Sequence, residues 1–395
     1  MGHPNVPGMV GSTKEIGGFV KIILFANTDW YLYNYRLSLA DALKKEGHDV
    51  MLLSPAGDYS EKIKANGYFW QQFNLTRSGV NPIWETWTLF KLGLLYRREK
   101  PDIVHHFTSK CVLYGSLVAR LLGIKRVINS ITGMGFLFTK NGFFISILKH
   151  LVIRLYKIAL KNSFVIFQNQ RDMDFFIQKQ LTSPDQCVLI AGSGVDSTLF
   201  RPDSEKKENA LVVLPARMLW DKGISEFVEA SRLLIASGIK ARFALVGSPD
   251  IGNPNSIPEK QLKAWQESGV IEWWGWQENM VSVFQKATIV CLPSSYREGL
   301  SKSLIEAASC GCALVASDIP GCREVVEHGR NGLLVPTHDS PSLSEAIGSL
   351  LTNKNSINKM GLESRKIAKS NFSVEKVIQE TVKIYDTSNV IHEEI

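Results

Sequence analysis

The sequence predicts an α/β protein of two Rossmann-like, doubly wound parallel-sheet domains in tandem, with a cleft between them. Three observations carry this. Short apolar runs alternate with amphipathic stretches at the spacing of βαβ units. At 395 residues the chain is too long for one ordinary core. A turn- and charge-rich stretch, GSGVDSTLFRPDSEKKENA (192–210), interrupts the alternation near the middle.

The strand-like runs of the first half are VKIILFA (20–26), HDVMLLS (48–54), YFWQQFNL (68–75), DIVHHFT (102–108), RVINSIT (126–132), SFVIFQN (163–169) and CVLIAG (187–192). Helical patterns at 35–45, 82–98, 112–122 and 143–161 lie between them. After the break come ALVVLPA (210–216), ARFALVG (241–247), VIEWWG (270–275), ATIVCL (287–292), CALVAS (312–317) and NGLLVP (331–336), then helical patterns at 340–351, 359–369 and 374–385. The expected division is a flexible leader at 1–18, a first domain at 19–195, a linker at 196–209, a second domain at 210–372, and a C-terminal helix at 373–395 that crosses back to the first domain. No repeat with a period of 20–50 residues is visible.

Composition narrows the class. A hydrophobic fraction of 45% with 21% charged residues is that of a globular chain. The six cysteines lack paired metal-ligand spacing and read as free thiols. Net charge is +7 but uneven: residues 1–185 hold 23 Lys/Arg against 13 Asp/Glu, and residues 186–395 hold 22 against 25. The first half therefore expects an anionic partner, a membrane surface or a charged acceptor. Nucleic acid is not expected, because no base-reading motif is present. No uncharged apolar run of membrane-spanning length exists, and the first 18 residues lack the apolar core of a signal peptide.

Candidate chemistry gathers in the second half. In SSYREGLSKSLIEA (294–307) a strand ends and a helix begins, with Glu298 at the helix mouth and Glu306 eight residues on. A helix N-terminus has unpaired N–H groups and the positive end of the dipole, which suits a diphosphate. Gly299 lets backbone approach a ligand, and the two carboxylates can accept hydrogen bonds from sugar hydroxyls. Arg217 and Lys222, past the strand end in LPARMLWDKGI (214–224), are two cations able to neutralise a diphosphate as it leaves; the bland alternative is solvated loop charge. In the first half, His105 and His106 point to opposite sheet faces, so at most one reaches the cleft. His106 is the nearer to the strand end; the alternative is a structural histidine. Thr108 and Lys110 are acceptor contacts or a capping loop. On a helical wheel of 143–161, Lys149, His150, Arg154, Lys157 and Lys161 fill one arc, and Ile147, Leu148, Leu151, Val152, Leu155, Tyr156, Ile158 and Ala159 the other. With Phe136, Phe138, Phe143 and Phe144 upstream, this fits a helix on an anionic membrane or an amphipathic core helix.

PARMLWDKG (215–223) and REGLSKSLIEAASCGCALVASDIPGCREVVEHGRNGLLV (297–335) resemble the C-terminal domain of the retaining GT-B glycosyltransferases of family 4, whose EX7E motif matches Glu298–x7–Glu306. HHFTSKCVLYGSLVAR (105–120), INSITGMGFLFT (128–139) and LPARMLWDKGI are similar to bacterial enzymes that extend undecaprenyl-diphosphate-linked sugars in O-antigen, capsule or protein-glycan assembly. The resemblance implies a nucleotide-sugar donor, UDP-GlcNAc or UDP-GalNAc, and a lipid-linked saccharide acceptor. It implies that Arg217 and Lys222 hold the donor diphosphate, that Glu298 contacts the donor sugar, and that the N–H groups of Gly299, Leu300 and Ser301 lie near sugar and phosphates. Glu306 would bind the ribose, while Gly247 and the backbone at Trp276 line the base pocket; packing is the alternative for Trp276. No cofactor and no metal is expected, and the location is the cytoplasm at the inner face of the plasma membrane. The chain departs from the family after its first strand, where NTDWYLYNYR (27–36) replaces a paired-glycine loop; Trp30, Tyr31 and Tyr33 form an aromatic wall there, with Asn34 and Arg36 facing the cleft. It departs again at Ser130–Gly133, where many members carry a histidine. A UDP-sugar epimerase or a non-catalytic sugar-nucleotide-binding protein are the alternatives.

Overall fold

The computed structural model describes residues 19–76, 81–133, 143–203, 210–295 and 299–387; the leader at 1–18 lies outside them. The first domain runs β1 (Lys21–Phe25), α1 (Asp29–Lys45), β2 (Asp49–Ser54), α2 (Ser60–Ala65), β3 (Phe69–Gln72), α3 (Pro82–Glu99), β4 (Ile103–Phe107), α4 (Ser109–Leu121), β5 (Arg126–Ile131), α5 (Phe143–Ala159), β6 (Phe164–Phe167), α6 (Gln170–Gln178) and β7 (Cys187–Leu189). Its strands form a parallel seven-stranded sheet of order β3-β2-β1-β4-β5-β6-β7. The second domain runs β8 (Leu211–Pro215), α7 (Ile224–Ala236), β9 (Arg242–Val246), α8 (Glu259–Glu267), β10 (Glu272–Trp273), α9 (Met280–Lys286), β11 (Ile289–Leu292), α10 (Lys302–Ser309), β12 (Ala313–Ser317), β13 (Gly332–Val335), α11 (Ser340–Leu351) and α12 (Lys354–Asn371). Its six strands, all parallel, are ordered β10-β9-β8-β11-β12-β13. The predicted fold class is the one observed.

The strand runs are continuous Val/Ile/Leu because helices cover both faces of each sheet. Ile22, Leu24, Leu52 and Ile103 enter one core with α1, while Ile23, Phe25, Met51 and Val104 enter another with α3 and α4. In the second domain Val213, Val290 and Leu314 share a core with α10, and Val212, Ile289 and Val315 share one with α7 and α11. The last helix, α13 (Val374–Thr387), returns to the first domain and places Val377, Ile384 and Tyr385 in its core beside α1. All six cysteines are free thiols, and five of them are buried.

One reading changes and one pair of alternatives narrows. The aromatic stretch after β1 is not a long loop: α1 already starts at Asp29, because Thr28 caps it, its Oγ1 accepting from the Tyr31 N–H at 3.1 Å. Helix α5 is a sheet-covering helix: Tyr156 and Ala159 are buried with Val112, Ile131 and Val165, so that side is used inside the domain. Arg154, Lys157 and Lys161 are exposed, together with Leu151 and Ile158. Among the described residues no helix is long and apolar enough to cross a membrane.

Candidate functional site

In an open parallel sheet ligands bind beyond the C-terminal strand ends, where the strand order reverses. In the second domain that point lies between β8 and β11, and both candidate segments leave from it. Arg217 and Lys222 follow β8, and the 294–306 segment follows β11. The two junctions are knitted together. The Asp221 carbonyl accepts from the Ser295 N–H at 2.9 Å and from the Ser294 hydroxyl at 3.0 Å. Gly223 caps α7 at φ +72, and a Cβ there would lie 2.1 Å from the Pro293 carbonyl oxygen, so only glycine lets the junctions meet.

Arg217 is exposed, with its Nη1 2.5 Å from the Asp250 carboxylate. Lys222 ends a short 3₁₀ turn and is partly buried. Gly247, at φ +141, closes the end of β9. Its N–H donates to the Gly275 carbonyl, its carbonyl accepts from Trp273 Nε1, and a Cβ would meet the Ala216 carbonyl oxygen at 1.9 Å. Trp276 is exposed on the same rim, whereas Trp274 packs against the core and donates from Nε1 to Glu272. Ser301 caps α10 and is buried, and Leu300 lies against Gly192 of the first domain. Glu298 lies outside the described residues.

Gly299 also makes a contact between the domains. A Cβ there would sit 2.3 Å from the Thr132 carbonyl oxygen, and its own carbonyl accepts from Asn169 Nδ2 at 3.1 Å. Thr132 follows β5 and Asn169 caps α6, so the glycine allows backbone-to-backbone contact between the domains.

Glu306 sits one turn into α10 with its side chain 13% exposed, and burial lifts its carboxyl pKa to about 7. Two neighbours were missed in the sequence. Lys302 lies 3.8 Å from Glu306, donates to the Asn34 carbonyl across the cleft at 2.9 Å, and stands 4.3 Å from the centre of the Tyr35 ring. Burial depresses its ammonium, and Glu306 partly restores it. The Tyr35 hydroxyl is raised by burial first and by Glu306 second, with Arg217 and Arg36 acting in opposition. Tyr35, Glu306, Lys302 and Arg217 are thus one electrostatic group spanning both domains. A lysine in the first turn of a helix opposes the dipole, and that misplacement was the available signal.

On the first-domain side, Arg36 is buried rather than free in the cleft. Its guanidinium donates to the Tyr31 hydroxyl at 2.7 Å and lies 4.3 Å from the centre of the Phe107 ring. His106 is a correction: it is fully buried beneath α3 and α4, with Nε2 3.0 Å from the Tyr96 hydroxyl and Nδ1 2.9 Å from Asn129 Oδ1. Burial takes its pKa down to about 4, so it is neutral and structural. His105 points to the other face, bonded to the Tyr385 and Ser130 hydroxyls at 2.6 and 2.8 Å. Neither histidine reaches the cleft, because both faces of central strand β4 are covered. Lys110 is engaged by Glu85 at 2.7 Å and by the Thr76 carbonyl at 2.8 Å. Thr108 holds φ 69, ψ 148 at the end of β4, a strained conformation for a β-branched residue at the cleft edge.

Comparison with known proteins agrees with this layout. Residues 21–170 match the family described as glycosyl transferase 4-like, and residues 209–353 match glycosyl transferases group 1. The N,N'-diacetylbacillosaminyl-diphospho-undecaprenol alpha-1,3-N-acetylgalactosaminyltransferase of Campylobacter jejuni is 29% identical over 372 residues, 90% of this chain and 95% of that protein. The UDP-Gal:alpha-D-GlcNAc-diphosphoundecaprenol alpha-1,3-galactosyltransferase of Escherichia coli is 26% identical over 314 residues, 75% of this chain and 78% of that one. HepE of Anabaena, solved with UDP, superposes with a TM-score of 0.75 at 17% identity, covering 93% of this chain and 100% of its own. With one family match on each sheet domain and the two-domain architecture common to these structures, the chain belongs to the GT-B glycosyltransferases.

Proposed function

We propose that the protein moves an N-acetylhexosamine, GlcNAc or GalNAc, from a UDP-sugar to a lipid-diphosphate-linked saccharide, with retention at the anomeric carbon. The observation that carries this reading is that the segment with Arg217 and Lys222 and the helix with Glu306 leave adjacent strands, β8 and β11, at the switch point of the second sheet. The Campylobacter jejuni relative, similar along nearly its whole length, supports the choice of donor and acceptor class. Arg217 and Lys222 hold the diphosphate, Glu306 takes the ribose hydroxyls, and Gly247 and Trp276 border the base. Glu298 orients the donor sugar, and α10, through Gly299, Leu300 and Ser301, presents its positive end to the phosphates.

In the same-face route the bond from the anomeric carbon to the diphosphate oxygen breaks as the acceptor oxygen bonds to that carbon on the same side. The acceptor proton passes to the departing diphosphate. Arg217 and Lys222 stabilise the charge that develops there, so the reaction needs neither a protein nucleophile nor a metal. Domain contact through Gly299 and Lys302 excludes water that would otherwise hydrolyse the donor. The place of action is the cytoplasmic face of the membrane that holds the lipid acceptor.

The test is transfer to a lipid-diphosphate saccharide from UDP-Glc, UDP-GlcNAc, UDP-Gal, UDP-GalNAc or GDP-Man, with the product's anomeric configuration read by NMR. Transfer from a UDP-N-acetylhexosamine with retention is expected, and Glu298→Ala should abolish it while leaving the fold intact. Full activity in that variant removes the site. An epimer formed from UDP-GlcNAc without acceptor converts the reading to an epimerase, and UDP-sugar binding without turnover converts it to a binding protein.

A further inference from the structure

Helix α3 is apolar on both sides. Leu92, Leu95 and Tyr96 are buried against the sheet. On the opposite side Ile83, Trp84, Trp87, Phe90 and Leu94 are 80%, 67%, 48%, 53% and 53% exposed. At 100° per residue these five fall within an arc of about 120°, and Lys91 and Arg98 lie inside the same arc. A surface helix ordinarily turns its polar side outward, so this stripe has no role in folding the domain.

Its chemistry is mixed in a particular way. Trp87 stacks on Phe90 at 5.4 Å, and the Lys91 ammonium lies 5.3 Å from the Trp87 ring. Lys91 and Arg98 also wall an open groove of about 550 Å³ whose other side is Gln71–Asn74, at edge strand β3. Residues 81–161, spanning α3 to α5, hold 13 Lys/Arg against 3 Asp/Glu, which accounts for the whole basic excess of the first half. Exposed Arg154 and Lys157 of α5, with Lys161 just past its end, belong to the same helical layer, with α4 between the two.

We propose that the outer face of α3 seats the protein on an anionic lipid bilayer. Trp84, Trp87 and Phe90 enter the head-group region, and Lys91, Arg97 and Arg98 meet lipid phosphates. The charge balance favours this occupant over a second copy of the chain, because self-association would set two strongly basic faces against each other. The stripe also starts at the cleft edge. Glu85, in the first turn of α3, accepts from Lys110 at 2.7 Å and from the Tyr114 hydroxyl at 2.8 Å, both just beyond the end of β4. Seated on α3, the protein opens its cleft at the depth of a lipid-linked diphosphate; this last consequence rests on the proposed acceptor.

The test is co-sedimentation of the full chain with phosphatidylcholine vesicles, with and without phosphatidylglycerol. The wild type is expected on the anionic vesicles and to be much weaker on the neutral ones. Trp84→Gln/Trp87→Gln/Phe90→Gln should lower binding by about a hundredfold or more, and Lys91→Gln/Arg98→Gln by about thirtyfold. These side chains are exposed, so circular dichroism and the unfolding midpoint should not change. Transfer to a short-chain, water-soluble acceptor should be unaltered in the triple variant. Vesicle binding needs neither donor nor acceptor, so a failed transfer assay leaves this proposal standing. Equally, failed vesicle binding leaves the soluble transfer assay intact. Wild-type indifference to anionic vesicles, or a triple variant that binds as well as wild type, overturns the proposal. So does a dimer in sedimentation equilibrium that the triple substitution dissolves without any vesicle binding.

Discussion

Glu306→Gln isolates the electrostatic state of the site. Burial raises the Glu306 carboxyl from its ordinary 4.5 to about 7, against the pull of Lys302. Between those values the folded state keeps this proton and the unfolded chain loses it. The neutral carboxyl therefore contributes stability that is complete below pH 4.5 and drains away as the pH rises through 7. With the side chain only 13% exposed, little solvent screening reduces the effect, and a shift of this size corresponds to about 3 kcal/mol. Glutamine fills the same volume and does not titrate. The assay is denaturant unfolding of both proteins at a series of pH values from below 4.5 to above 7, using the difference between them so that all other titrations cancel. The glutamine variant should gain on the wild type by about 3 kcal/mol across the range, with most of the change between pH 4.5 and 7. Stability curves that stay parallel would mean that Glu306 is already ionised in the empty site, and the reasoning fails.

Three further outcomes are expected. Gly299→Ala should cut kcat/KM by about a hundredfold, because its methyl group meets the Thr132 carbonyl and displaces the domain contact, while the second domain's own unfolding midpoint stays put. Lys302→Met should destabilise the protein by about 1–3 kcal/mol, since it leaves the Asn34 carbonyl without its donor and Glu306 without its cation; an unchanged midpoint would show that the contact contributes nothing. His106→Gln should lower stability by about 1–3 kcal/mol with kcat retained, leaving Tyr96 and Asn129 poorly satisfied. The wild-type histidine favours its neutral form, so its contribution is present above pH 6.5 and is lost as the pH falls toward 4. A lost kcat in a fully folded variant would return His106 to the chemistry.

The fold was legible because parallel strands buried on both faces leave unbroken runs such as KIILF and LVVLP, and each run found a strand. Errors arose where local pattern and tertiary setting diverge. Trp30, Tyr31 and Tyr33 read as loop in the sequence, whereas Thr28 caps a helix that contains them. Strand alternation correctly sent His105 and His106 to opposite faces, yet it cannot say that helices cover both. Glycine at 299 signals close approach, but to what is a matter of where Thr132 arrives from a distant part of the chain. Lys302 and Tyr35 were invisible for the same reason, since their meeting is made by the domains rather than by either segment. Helix α5 kept two readings in the sequence, membrane-facing or core-covering, because a wheel separates faces without identifying what each one touches.

The return of α13 makes the second domain an insertion within the first. The chain leaves the first domain at Val195 and re-enters beside it: the Val195 N–H donates to the Phe372 carbonyl at 2.8 Å, and the Val374 N–H donates to the Val195 carbonyl at 3.0 Å. The two crossings lie side by side, so both covalent links between the domains meet at one place. Truncation is consequently asymmetric: removing the last helix strips Val377, Ile384 and Tyr385 from the first domain's core and leaves the cores of the second domain whole. The C-terminus thus guards the N-terminal half of the molecule.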